Sequence, residues 1–182
     1  MRRFNLFLGA LAAVFICAHG AVARAGWLGE TVTVDWYVPD NVTVIETHNV
    51  VVGAGIELPI GSIVNGPILA IDLSDTEVQF SVSSLSIFSA VPVNGFKFSD
   101  TFNTIPDISG VSLGAMSGGV TGLTISDLSF DANSIFANLE GVTAAGPGDF
   151  WTLKVQFVPE PGSVVLALSC LAVVPLLRRR KR

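Results

Sequence analysis

Thr31-Val32-Thr33-Val34-Asp35-Trp36-Tyr37-Val38 alternates almost without a break. In an extended chain successive side chains point to opposite faces, so Val32, Val34, Trp36 and Val38 gather on one side. A helix, with its 3.6-residue period, would scatter the same four around its axis. Glu77-Val78-Gln79-Phe80-Ser81-Val82 repeats the pattern with Val78, Phe80 and Val82 inward. Trp151-Thr152-Leu153-Lys154-Val155-Gln156-Phe157 does so with Trp151, Leu153, Val155 and Phe157. Period two, carried by β-branched and aromatic residues, is the pattern of a half-buried antiparallel strand.

Further strands are expected over Val42–Glu46, Asn49–Val52, Ile68–Leu73, Gly95–Ser99, Val120–Ser126 and Ser134–Leu139. Breakers separate them: Pro39-Asp40-Asn41, Gly53-Ala54-Gly55, Asn65-Gly66-Pro67, Asn94-Gly95, Gly118-Gly119 and Gly146-Pro147-Gly148. No stretch between residues 26 and 157 combines helical period with caps. Asp131–Glu140 could turn once or twice, but Ser134, Asn138 and Gly141 weaken it. The Gly/Ser-rich stretch Ser109–Gly122 reads as a weakly ordered edge or loop. The fold class that follows is all-β, an antiparallel β-sandwich or jelly-roll-like body of about eight to eleven strands.

The two ends read as addresses. Arg2-Arg3 precedes the apolar run Phe4–Ala18, and small residues with A-x-A spacing follow, ending at Ala23 and Ala25. A basic start, a short apolar core and small residues at the cut make residues 1–25 a signal peptide, cleaved after Ala25 or after Ala23. Cys17 leaves with it. At the other end, Pro159-Glu160-Pro161 precedes the apolar run Val164–Leu177, and Arg178-Arg179-Arg180-Lys181-Arg182 closes the chain. Gly162–Leu177 as a helix at 1.5 Å per residue reaches roughly 24 Å, against about 30 Å of hydrocarbon. The basic residues keep their end in the cytoplasm, so the body is expected outside.

Residues 158–182 resemble the PEP-CTERM sorting signal of Gram-negative bacteria: Pro-Glu-Pro, an apolar helix and a basic tail, in that order and spacing. The resemblance implies that an exosortase binds this tail and cuts near Pro159, Glu160 and Pro161, after signal peptidase has acted at the N-terminus. Arg178, Arg179 and Arg180 would retain and orient the precursor in the inner membrane until then. The body would pass to the cell surface or extracellular matrix, with exopolysaccharide as companion in a biofilm. Loss of a hydrophobic tail from the mature product parallels other C-terminal signals. Three internal segments, 94–100, 125–131 and 135–141, are similar to β-rich bodies found ahead of such tails, with a Gly-Phe-x-Phe and an Asn-Leu-x-Gly element. That similarity implies fold, not chemistry; Phe96 and Phe98 read as core, Gly95 and Gly141 as turns.

Between the signals, residues 26–157 suit one domain. The body has no cysteine, so its core must stabilise it without disulfides. The whole chain carries −5, but only Lys97 and Lys154 of its ten basic residues lie in the body. Two lysines against fourteen carboxylates leave −12 there, a charge that repels nucleic acid and anionic lipid.

Little chemistry is legible. His48 is the body's one histidine and reads as a solvated turn residue between strands. Without cysteine there is no thiol nucleophile, and a zinc site of His and Cys is nearly excluded. No phosphate-cradling loop occurs. Asp72-Leu73-Ser74-Asp75-Thr76-Glu77 gathers oxygen donors suited to calcium, although a solvated turn explains it more simply. Asn41-Val42-Thr43 fits a glycosylation sequon, read here as accidental. The expectation is an exported, non-enzymatic surface or matrix protein without cofactor, metal or catalytic residues. The alternatives are a carbohydrate- or calcium-binding adhesin module and a plain membrane-anchored periplasmic protein.

Overall fold

Alternating segments pair with one another because each has one apolar face to bury and a row of backbone groups to satisfy. The computed structural model describes residues 26–64 and 67–159, and twelve strands follow one another there. They are β1 (Thr31–Tyr37), β2 (Val44–Val51), β3 (Leu69–Leu73), β4 (Glu77–Val82), β5 (Ser86–Ile87) and β6 (Gly95–Ser99). Then come β7 (Ile108–Met116), β8 (Val120–Thr121), β9 (Leu128–Phe130), β10 (Ser134–Asn138), β11 (Thr143–Ala144) and β12 (Phe150–Phe157). A 3₁₀ turn at Ile125–Asp127 is the one helical element among the described residues, and none there is long and apolar enough to cross a membrane.

A five-stranded sheet runs β2-β1-β6-β10-β9 and a four-stranded sheet β3-β4-β12-β7, all pairs antiparallel. Their apolar faces meet in one core. Val32, Val34, Phe96, Phe98, Ile135 and Ala137 come from the first sheet; Ile71, Val78, Phe80, Trp151 and Leu153 come from the second. Phe80 joins the two, 5.8 Å from Phe96 and 5.9 Å from Phe98, and stacks on Trp151 at 5.0 Å. Trp27 closes one margin, stacked on Phe98 at 6.4 Å and edge-on to Phe157 at 5.9 Å. Such burial favours the fold by about 25 cal/mol per Å² of apolar surface. Two antiparallel sheets facing across a shared core are consistent with a β-sandwich.

The third sheet, β5-β11-β8, has a simple origin. Its strands lie on the crossings β4 to β6, β7 to β9 and β10 to β12. The registers place all three crossings at the same end of the two large sheets. Crossings that meet at one end satisfy one another's backbone groups and form a cap.

Several expectations change. Val42–Glu46 and Asn49–Val52 are one strand, β2, and His48 lies within it rather than in a turn. Of the two readings of Ser109–Gly122, edge or loop, the edge is what forms: most of it is β7, the nine-residue edge strand of the four-stranded sheet. Its small residues fit side chains of β12, since a Cβ on Gly110 would lie 3.0 Å from Gln156 Oε1 and one on Gly114 would collide with Thr152 Oγ1. Val120–Ser126 keeps only two strand residues, β8. Gly95 is a strand residue, not a turn; Gly141 does turn, at φ 70°. Twelve strands exceed the eight to eleven expected, the surplus being two- and three-residue pieces whose pairing depends on the crossings.

Candidate functional site: a groove on the outer face of the five-stranded sheet

The same alternation that buries Val34 and Trp36 turns Asp35 and Tyr37 outward. Register then assembles a row across five strands: Thr47, Asp35, Lys97, Phe136 and Ser129 lie side by side on β2, β1, β6, β10 and β9. Thr47 Oγ1 donates to Asp35 Oδ1 at 2.6 Å. The neighbouring row is Tyr37, Gly95 and Asn138. Gly95 leaves a gap there, and Phe136 fills it: a Cβ on Gly95 would come within 2.8 Å of Phe136 Cζ and would strike the Ala137 carbonyl oxygen. Phe136 thereby meets Tyr37 edge-on at 6.1 Å and 80°. This close approach needs glycine for space.

These rings form part of the wall of a groove of about 420 Å³. Tyr37, Lys97, Ser129, Phe130, Ser134 and Phe136 come from the strands; Asn41 and Val93 border it at one end, Asp131 at the other. Asn41 belongs to the β1–β2 turn, which Asp40 pins by accepting the Val42 and Thr43 amides at 3.0 and 2.6 Å. Asp131 organises the β9–β10 turn, Oδ1 accepting the Asn133 amide at 2.8 Å and Oδ2 the Ser134 hydroxyl at 2.9 Å.

Partial burial raises the Asp131 pKa, but those hydrogen bonds and the Lys97 charge outweigh it and hold the carboxyl below its usual range. Partial burial, then the charge of Asp35, raises the Tyr37 phenol, so it remains a neutral donor and acceptor at physiological pH. The groove thus presents a carboxylate, an ammonium, an amide and hydroxyls beside three aromatic rings, Tyr37, Phe130 and Phe136.

His48 faces the other side of the sheet with Val34, its Nε2 2.7 Å from Glu46 Oε1. Glu46 also accepts the Val64 amide at 3.0 Å, so the pair ties β2 to the long β2–β3 connection. The six residues weighed for calcium, Asp72 to Glu77, take up separate tasks. Asp75 accepts the Leu28 amide at 3.3 Å, and its carbonyl accepts that of Trp27 at 2.9 Å. Asp72 adjoins Glu57; burial first, then Glu57's charge and hydrogen bond, raise its pKa. Glu77 stands opposite Lys154. Among the described residues no group of three or more His, Cys, Asp or Glu is arranged to hold a metal ion.

Of the sorting residues, Pro159 is exposed; Glu160, Pro161, Arg178, Arg179 and Arg180 lie outside the described residues, as do Ala23 and Ala25. The segments 94–100, 125–131 and 135–141 supply β6, β9 and β10, which stand together in the order β6-β10-β9. Alternation marked Tyr37 as outward, but no sequence signal joined it to Phe136, 99 positions later. Compared with protein-family models, curated proteins and solved structures, the chain matches none.

Proposed function

We propose that this is an exported, non-enzymatic protein of the cell surface or extracellular matrix, sorted by an exosortase through residues 158–182. The observation that carries the reading is the order Pro159-Glu160-Pro161, apolar run, Arg178-Arg179-Arg180 at the C-terminus. The N-terminal run ending at Ala23 and Ala25 supports it, because the same topology follows from both ends. On this reading the body is an open, jelly-roll-like sandwich that leaves the inner membrane when the tail is cut. Signal peptidase and exosortase are its processing partners, and exopolysaccharide its companion. The absence of cysteine leaves the body without a thiol nucleophile.

Glu160→Ala tests this in the native host. Export should continue while the tail-bearing precursor accumulates in the inner membrane, since the apolar run and basic residues still retain it. Intact-mass measurement of membrane and secreted fractions distinguishes the forms. Normal processing of Glu160→Ala beside a processed wild type would leave a plain membrane anchor as the better reading.

A further inference from the structure

We infer that the groove between Tyr37, Lys97, Phe136 and Asp131 is a binding site for a neutral oligosaccharide. The inference concerns the ligand of the body and is independent of how the tail is processed.

The location sets the mode of recognition. The groove lies over β1, β6 and β10, each already paired on both sides. Only Ser129 and Phe130 come from an edge strand, β9; over the floor itself no strand edge is free, so a ligand seated there is recognised through side chains rather than by strand addition. Those side chains combine two chemistries. Tyr37 and Phe136 are half-buried rings locked edge to face, which supply apolar contact at little further entropic cost. Around them stand Asp131 as acceptor, Lys97 as donor and Asn41 as both. A sugar matches this mixture: its ring carries an apolar C–H face, and every hydroxyl on its edge both donates and accepts. An apolar peptide or acyl chain would instead take water from the Lys97 and Asp131 charges while offering them no polar group in return, which is costly.

Charge narrows the class. Lys97 lies directly beside Asp35 and influences Asp131, so the groove has no surplus of positive charge. The surrounding body at −12 disfavours a polyanion, which points to a neutral saccharide rather than a polyuronate. Size points to a chain rather than a single sugar. The volume falls in the range of small-molecule sites, roughly 300–1,000 Å³. From the level of Tyr37 to that of Ser134 the floor spans the five residues of β10, four steps that make roughly 14 Å at 3.4 Å each.

The test is titration calorimetry on the full chain, in a detergent without a sugar headgroup. The probes are cellotetraose, maltotetraose and mannotetraose, with tetragalacturonate as the charged control. At least one neutral probe should saturate the protein at millimolar concentration or below, and tetragalacturonate should bind more weakly than that probe. Phe136→Ala should weaken binding about tenfold, as loss of an aromatic anchor does, and Phe136→Tyr should restore it. Ser129→Trp, at an exposed position beside Phe136, should obstruct the groove while leaving the rings packed; it decides the matter if Phe136→Ala does not fold. Saturation by none of the three neutral probes overturns the inference. So does binding that survives Ser129→Trp, or a preference for tetragalacturonate.

Discussion

Gly95 shows how one missing side chain shapes a surface. It sits in β6 with ordinary strand neighbours, yet a methyl group there would strike the Ala137 carbonyl and crowd Phe136. Gly95→Ala should therefore cost about 1–3 kcal/mol, the range for overpacking, read as a lower urea midpoint at unchanged slope. Asp72 behaves in the opposite sense. Its folded pKa is raised, by burial first and by Glu57 second, so its ionised form opposes folding at neutral pH. The penalty is absent below the unfolded value of about 3.9 and appears as pH rises through the folded one. Asp72→Asn should raise the melting temperature at pH 7, and the gain should vanish in acid. A gain of the same size at pH 3 and pH 7 would refute the electrostatic cause.

The cap shows how short elements are secured by polar side chains. β8 and β11 have two residues each, too few to persist as an isolated pair. Asp149 holds the surrounding loops, accepting the Ser117 hydroxyl at 2.6 Å and the Gly146 amide at 3.0 Å. The Ser117 bond is the largest cause of its lowered pKa; burial, next in size, opposes it, and the Gly146, Ala145 and Gly119 amides add to the lowering. A lowered carboxylate stabilises the fold above the unfolded pKa, and that stabilisation is lost as pH falls through the folded value. Ser117→Ala should thus be less stable than wild type at pH 7, and the difference should shrink at low pH to what the lost bond from the Phe150 amide costs. Its Asp149 titration, followed by carbon NMR, should move upward.

For the whole body, charge and the absence of cysteine carry the expectations. Residues 26–157, expressed alone, should give a β-type circular dichroism spectrum that does not depend on reductant; a spectrum dominated by helix would contradict the strand assignment. At −12, divalent cations should raise the melting temperature slightly, calcium and magnesium alike, and moderate salt should weaken both effects. A true site would add RT ln(1 + [L]/Kd), about 2.7 kcal/mol at a hundredfold excess. A rise specific to calcium and abolished by Asp75→Asn would place such a site at the β3–β4 turn despite the separate contacts of Asp72, Asp75 and Glu77.

The sequence by itself determined the strand character and the inward faces. Val32, Val34 and Trp36, Val78, Phe80 and Val82, and Trp151, Leu153 and Val155 are all buried, because period two with bulky apolar residues admits few other solutions. It also determined the charge of the body and the pattern of the two ends. Tertiary structure alone decided what depends on partners distant in the chain. β7 is a strand although rich in Gly and Ser, because its glycines leave room for Thr152 and Gln156 of β12. His48 lies in a strand because β2 pairs continuously along β1. The groove exists because register, set by inner-face packing, aligns Asp35, Lys97 and Phe136 from three strands. Local propensity records which way a residue points; only the pairing of strands settles which residue stands beside it.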